Sequence, residues 1–293
     1  MTELCIDFGG TAVKIGVLDT GSPLATTQIP VDRRDPLGRA EIAARELIAG
    51  TRPEAIGVAL PGVVDRRAGT LVRAHDKYTS LAGVDVRAWA EKSFGAPAAI
   101  ENDARAALVG ETVHGVAAGA RDAVLMTIGT GIGTAAMMDG IVLRGATDHA
   151  GILGGHVTVD VDAGPCNCGN VGCAESLAST WALRTHPDLR THPDLRALVE
   201  AAGHDRGARD VLDRFVRVWG AALVTLCHAY DPAVAIVSGG VLAAREAIVP
   251  GLTAHLERHM WSSAHRPQVV VPDRPDLSVL RGLAVIARKD LDA

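Results

Sequence analysis

One histidine and three cysteines lie within residues 156–173, HVTVDVDAGPCNCGNVGC, and this stretch limits what the chain can fold into more than any other. His156, Cys166, Cys168 and Cys173 offer one nitrogen and three sulfurs, the donor set of a closed structural zinc site. Gly169 and Gly172 sit inside the knuckle and let the backbone turn tightly enough for three thiolates to converge. A disulfide is the competing reading. It is disfavoured because one residue separates Cys166 from Cys168, a poor span for a bridge in an extended segment. The five cysteines are also an odd number. Four protein ligands leave no open position for water, so the expected job of the metal is to hold a loop.

Length and charge narrow the rest. At 293 residues the chain has room for two domains of ordinary size. Its 48% of hydrophobic residues excludes wholesale disorder. The net charge of −5 argues against a nucleic-acid surface, and no reading helix precedes the first expected strand. Residues 1–7 are too short and too acidic for a signal peptide, and no uncharged apolar run is long enough to span a membrane. The expectation is a soluble, cytoplasmic protein without a membrane or nucleic-acid partner.

Residues 4–8 read as an apolar strand interrupted by Asp7, which passes through Gly9, Gly10 and Thr11 into strands at 12–18 and 24–30. A strand, a glycine turn and a strand make a hairpin. That differs from the strand–loop–helix of a dinucleotide fold or a P-loop, and neither GxGxxG nor GxxxxGK[ST] occurs. The backbone donors of such a turn and the Thr11 hydroxyl can hold a phosphate, with Asp7 beside it for a magnesium water and Lys14 for positive charge. An ordinary tight turn reads the same way. The layout returns at 123–138 around Gly129, Thr130 and Gly131. Two such hairpins about 120 residues apart imply two related domains closing on one polyphosphate.

Further strands are expected at 55–60, 63–64, 97–100, 233–237 and 269–271, and helices at 37–49, 85–94, up to 113, at 175–183, 195–202 and 208–230, from near 242, and at 279–289. Glu101, Asn102 and Asp103 lie at a strand-to-helix junction. Asn102 or Asp103 can be the N-cap there; a carboxylate at the carboxyl end of a strand can also face the crevice of an α/β sheet. Gly239 and Gly240 close the strand at 233–237 and admit a ligand near the backbone. The tandem THPDLR at 185–196 reads as a surface-loop insertion, and its His186 and His192 are not assigned to a metal. Cys5 and Cys227 read as buried apolar residues.

Together these segments resemble the ROK family of sugar kinases. DFGGTAVKIGVLD resembles that family's first phosphate segment, PGVVD its sugar-side loop and ENDARAALVGE its catalytic segment. TIGTGIGTAAMMDG resembles the second phosphate segment, GHVTVDVDAGPCNCGNVGCAE the zinc signature and IVSGG the adenosine-side turn. The resemblance spans nearly the entire chain. It implies an α/β, two-domain actin-like ATPase (ribonuclease H-like) fold with an interdomain cleft. The first domain would be residues 1–113 plus 277–293, and the second 114–276 with the zinc site. It also implies an ATP-dependent kinase of a hexose or amino sugar using Mg2+ and a structural Zn2+, commonly a homodimer. Asp103 is then the general base. Gly62, Asn102, His156 and Glu175 join it as sugar contacts, with His156 also a zinc ligand. Asp7, Gly9, Gly10, Thr11, Lys14, Gly129, Thr130, Gly131, Gly239 and Gly240 serve the nucleotide and its magnesium.

Two departures bear on substrate. The family usually reads GExGH before the zinc histidine, whereas Leu153 stands here where that glutamate belongs. This removes an acceptor aimed at a sugar hydroxyl and leaves apolar surface; Asp148 is the nearest upstream acid that could compensate. The loop VRAHDKYTSLAG also replaces the usual asparagine-and-tryptophan loop and presents His75, Asp76 and Lys77 as candidate contacts for an atypical substrate. The alternative reading is a catalytically silent sugar-binding or regulatory protein of the same fold. Repressor relatives carry a DNA-binding segment ahead of the first strand, and almost nothing precedes Leu4 here.

Overall fold

Seven strands organise the first half of the chain: β1 (Thr2–Phe8), β2 (Ala12–Asp19), β3 (Ser22–Pro30), β4 (Ala55–Leu60), β5 (Val63–Asp65), β6 (Thr70–Arg73) and β7 (Ala98–Asn102). Five of them form a sheet in the order β3-β2-β1-β4-β7, with β1, β4 and β7 parallel and β2 and β3 antiparallel. The strands β8 (Ala123–Ile128), β9 (Ile132–Met138), β10 (Ile141–Val142), β11 (Val234–Ser238) and β12 (Gln268–Val270) form a second sheet in the order β10-β9-β8-β11-β12. Its pairing repeats the first strand for strand: an antiparallel three-stranded meander, then two parallel additions. The duplicated glycine hairpins of the sequence are therefore the β1–β2 and β8–β9 turns of two sheets with one topology. The computed structural model describes residues 2–73, 76–186, 189, 192–261 and 266–291. His75 and part of the tandem repeat lie outside the described residues, and of Asp76 and Lys77 the side chains do.

By their internal contacts the residues divide into two units. One holds Met1–Gly119, Arg144–Ala150 and Asp273–Ala293; the other holds Ala120–Leu143 and Gly151–Pro272. The chain therefore places Arg144–Ala150 with the first unit, a segment that a linear division at 113 and 277 leaves in the second. In the first unit Leu4, Ile6, Phe8, Ile15, Ile56, Val58 and Ile100 are fully buried, which is why β4 reads as a continuous apolar run and β1 as one interrupted by Asp7. The core of the second unit forms around Trp219 on the helix Arg206–Tyr230, whose ring meets Phe215 edge-on at 5.8 Å and whose indole N–H donates to the Ala178 carbonyl at 2.6 Å. No described helix is long and apolar enough to cross a membrane.

Three expected elements differ. The helix expected at 175–183 is two short ones, Ala174–Leu177 and Thr180–Thr185, because Ala178 leaves helical geometry and the Ser179 hydroxyl accepts from the Ala182 amide as a new N-cap. β7 continues to Asn102, so Glu101 and Asn102 are its last residues rather than a junction beyond it. A 3-10 turn, Gly240–Ala244, precedes the helix Arg245–His259 that the sequence places from near 242.

The helix Ser278–Leu291 packs on the helix Asp103–His114 within the first unit, with glycine at the crossing on both sides. A Cβ on Gly110 would lie 2.0 Å from the Ser278 carbonyl oxygen, and one on Gly282 1.7 Å from that of Ala106. The opposing atoms are backbone and cannot swing away. Gly282→Ala should therefore destabilise the protein by about 3 kcal/mol, the upper end of overpacking costs, read as a lower urea midpoint.

Candidate active site

Parallel strands deliver side chains to a common edge of a sheet. In the first unit Asp7 on β1 pairs with Ala59 on β4, Ala59 with Glu101 on β7, and Leu60 with Asn102. Asp7, Gly62 and the Asn102–Asp103 pair are thus gathered at the carboxyl ends of three neighbouring strands, where ligands of α/β sheets bind. Asn102 is the N-cap of the following helix, its side-chain oxygen accepting from the Arg105 amide at 3.1 Å. Its amide nitrogen donates to the Gly62 carbonyl and to Asp103 Oδ1, both at 3.0 Å. The capping reading is realised, and the same residue orients Asp103.

Asp103 Oδ1 also accepts from the Ala104 amide at 2.8 Å. Burial pushes the Asp103 carboxyl up to about 6, against those hydrogen bonds. Asp7 is buried more deeply, and burial pushes it to about 7 while Lys14, its cross-strand neighbour, draws it down and the charge of Asp103 raises it. Asp7 Oδ1 is buried without a hydrogen-bond partner. An acid held this way needs a cation to stay ionised, and a carboxylate oxygen with no partner suits a magnesium ion or its water. Beside it, the Gly9 amide donates to the Asp7 carbonyl at 3.0 Å, closing the β1–β2 turn that carries Gly10 and Thr11.

In the second unit the β8–β9 turn is braced from outside. The Gly129 amide donates to the Gly131 carbonyl at 2.9 Å. The first two amides of the helix Thr180–Thr185 donate to the carbonyls of Gly129 at 3.1 Å and Thr130 at 3.0 Å. Gly239, at φ 99°, closes onto this turn: a Cβ there would lie 2.4 Å from the Ile128 carbonyl. Next to Gly240 is a cavity of about 290 Å³ lined by Leu195, Val199, Val241 and Ala244, with Arg196 and Glu200 at its polar side.

The donor atoms of His156, Cys166, Cys168 and Cys173 all lie within 4.8 Å of one another. A tetrahedral zinc with ligand distances of about 2.0–2.3 Å separates its sulfurs by ~3.8 Å and a sulfur from a nitrogen by ~3.5 Å. Cys168 and Cys173 Sγ are 3.7 Å apart, as are Cys166 Sγ and His156 Nδ1. The set fits a closed zinc site with its donors drawn in slightly, and all five cysteines are free, so the disulfide reading falls. Burial raises the Cys166 and Cys173 thiols, and a cation is what would hold both as thiolates. Gly169 and Gly172 adopt φ of 99° and 58°, as the tight knuckle requires. Behind the ligands, His156 Nε2 is 3.9 Å from Glu175 Oε1. Cys5 and Cys227 are buried, and burial alone pushes the Cys227 thiol to about 12.

Leu153 is 42% exposed and precedes the 3-10 turn Gly154–His156, which Thr134 holds to β9 by accepting from the Gly154 amide. The Asp148 carboxylate faces Arg105 at 4.0 Å, and the backbone carbonyls of Asp148 and Ala150 accept from the same guanidinium. Two residues escaped the sequence reading. The Tyr78 hydroxyl donates to the Gly9 carbonyl at 2.8 Å and so supports the first glycine turn; no local pattern announces a contact across so many residues. Arg105 is fully buried, with Glu101 at 3.6 Å and Arg144 paired to the other oxygen of Glu101 at 2.6 Å. Its partner Glu101 lies on β7 and not on the same helix, so no local spacing rule announced the pair.

The model of the ROK family matches residues 3–290. A glucokinase from Thermotoga maritima is 29% identical over 263 residues, covering 82% of each chain. The crystal structure of a ROK hexokinase from Thermus thermophilus superposes with a TM-score of 0.83 at 30% identity, covering 100% of this chain and 99% of that one. A ROK family glucokinase from Streptomyces griseus, solved with glucose and AMPPNP, gives a TM-score of 0.82 at 29% identity over 99% of this chain and 100% of its own.

Proposed function

The chain belongs to the ROK family, and from that membership we propose that it transfers the γ-phosphoryl group of ATP to a hydroxyl of a hexose or amino sugar. The observation that carries this reading is the carboxylate pair Asp7 and Asp103 at the edge of one sheet, both raised toward neutrality by burial. Asp103 accepts the proton of the sugar hydroxyl as that oxygen attacks the γ-phosphorus. A base near 6 is mostly ionised in the neutral range yet still takes a proton readily. Transfer of a phosphoryl group passes through a loose transition state, so much of the burden falls on positioning. Asn102, fixed by Gly62, orients Asp103 and offers a polar group to a neighbouring hydroxyl. Magnesium would be held at Asp7, where it supplies charge neutralisation for the phosphates. The Gly9–Thr11 and Gly129–Gly131 turns offer backbone amides to phosphate oxygens, with Lys14 adding positive charge. The cavity beside Gly240 has room for a nucleoside.

His156 and Glu175 serve the sugar, with zinc fixing the imidazole. Leu153 removes one carboxylate from that side, so a sugar bearing an apolar substituent fits this chain better than glucose. The test is ADP release with MgATP across glucose, fructose, mannose, allose, N-acetylglucosamine and N-acetylmannosamine. Turnover on one sugar supports the kinase and names its substrate. Sugar binding with no turnover across the panel would favour the silent, regulatory reading. In the active case Asp7→Asn should lower kcat by about 10²–10³-fold, the cost of losing one charge-stabilising group, with the loss only partly offset by raised Mg2+.

A further inference from the structure

Glu175 has two oxygens, and one of them is hydrogen-bonded inside its own unit. Oε2 accepts from the Ile132 amide at 2.8 Å, while Oε1 lies 3.9 Å from His156 Nε2, beyond hydrogen-bond reach. Ile132 opens β9 directly after the Gly129–Gly131 turn. The fit is close: a Cβ on Gly131 would lie 2.3 Å from Glu175 Oε2.

Peptide geometry makes this contact consequential. In a trans peptide the N–H points opposite to the C=O, and the chain has no cis bonds. The Gly129 and Thr130 carbonyls are drawn toward the first amides of the helix Thr180–Thr185, so the Thr130 and Gly131 N–H groups aim the opposite way. The Gly131 carbonyl turns inward to the Gly129 amide, which aims the Ile132 N–H outward at Glu175. Three successive peptide planes are thereby set, two by a helix end and one by a carboxylate. Both braces follow Cys173 within a few residues: Glu175 lies on the helix that Cys173 precedes, and the helix Thr180–Thr185 comes next. Their placement depends on where the knuckle puts Cys173.

We propose that Glu175 is a positioning residue of the nucleotide turn, and that through it the His156–Cys166–Cys168–Cys173 cluster couples metal occupancy to nucleotide binding. The inference rests on the reading that the β8–β9 turn holds phosphates. A metal on the cluster would fix Cys173, Cys173 caps the helix that carries Glu175, and Glu175 with the following helix holds the amides at Thr130 and Gly131 in the orientation a phosphate needs. Reciprocity follows: whatever factor the metal adds to nucleotide affinity, the nucleotide adds to metal affinity.

The experiment uses the zinc-loaded protein, AMPPNP with Mg2+ as the probe, and no sugar. Glu175→Ala, with its metal content verified as unchanged, should raise the Kd for AMPPNP by about tenfold and abolish the hydrogen-exchange protection of the Ile132 amide. Glu175→Gln keeps one oxygen for that amide and should restore part of both. Saturating AMPPNP should slow zinc release from the native protein to a chelator. An unchanged Kd in Glu175→Ala, or zinc release indifferent to AMPPNP, overturns the coupling. A native protein that binds no AMPPNP would sink the nucleotide reading instead. Exchange at Ile132 in the metal-depleted protein still decides whether the cluster sets the turn: retained protection overturns that link.

Discussion

Asp103→Ala is expected to lower sugar-dependent ADP release by about 10³–10⁴-fold while leaving the fold intact, the size of effect a positioned general base contributes. Asp103→Asn should do nearly the same damage, since its amide cannot take the proton although its oxygen can still accept from the Ala104 amide as Oδ1 does now. In the native protein kcat/KM should fall on the acid side with a midpoint at about 6, because burial raises Asp103 to about that value. The neighbouring Asp7, raised to about 7, titrates as a partner, and Mg2+ should move its step lower. Sugar-dependent turnover persisting in either Asp103 variant would falsify the assignment.

The same burial makes a second readout, independent of activity. A carboxyl whose folded pKa lies above its unfolded value favours the protonated form in the native state. Its contribution to stability is complete below about pH 4 and is lost as the pH rises through about 6. At pH 7.5 the ionised Asp103 is a cost, and Asp103→Asn should raise stability there by on the order of 1 kcal/mol. The gain should vanish at pH 4, where native Asp103 is already neutral. A variant that is inactive and more stable is hard to explain by misfolding.

What could be read from sequence followed from how local each interaction is. Gly9–Thr11 and Gly129–Gly131 were legible as tight strand-to-strand turns because such a turn leaves a glycine signature in the sequence itself. Because each hairpin continues into a sheet of the same strand order, those two short signatures carried the duplicated architecture with them. The knuckle was legible because its ligands are spaced along one short segment. Tyr78 was not, since its partner Gly9 is 69 residues away. The break at Ala178 and Ser179 was hidden by apolar residues at helical spacing on both sides of it; the Ser179 cap and the bracing of the Gly129 and Thr130 carbonyls together explain why a new helix starts at Thr180. The resemblance singled out Glu175 as a proposed sugar contact, but its hydrogen bond from the Ile132 amide was not legible, because that contact joins segments 43 residues apart.

Removing the metal, by chelation or by Cys173→Ser, should release residues 158–172 while the rest of the second unit stays folded. The knuckle has little apolar anchorage of its own: Val161 is 76% exposed and Val171 45%. It is held by a few backbone bonds, such as Val159 to Gly172 at 2.8 Å and Cys166 to Asn170 at 2.7 Å, and by Asn170 bridging to the His156 carbonyl and Thr158. Structural zinc supplies about 10–16 kcal/mol of apparent binding free energy in small zinc peptides, where it is the whole of folding. Here the buried core around Trp219, Phe215 and Leu223 includes no residue of 158–172, with only Val159 packing against it from that segment, so the unit stays folded and the loss falls on the loop and on the turn it braces. Limited proteolysis should cut within 158–172 only after the metal is gone, with the far-UV circular dichroism almost unchanged. The sugar KM should rise by about ten- to a hundredfold as His156 loses its anchor. A metal-free loop that still resists protease would mean that the cysteines hold their arrangement by packing alone. Collapse of the whole spectrum would mean that the knuckle nucleates the unit rather than ornamenting it, and either result would displace the metal from the role of local brace.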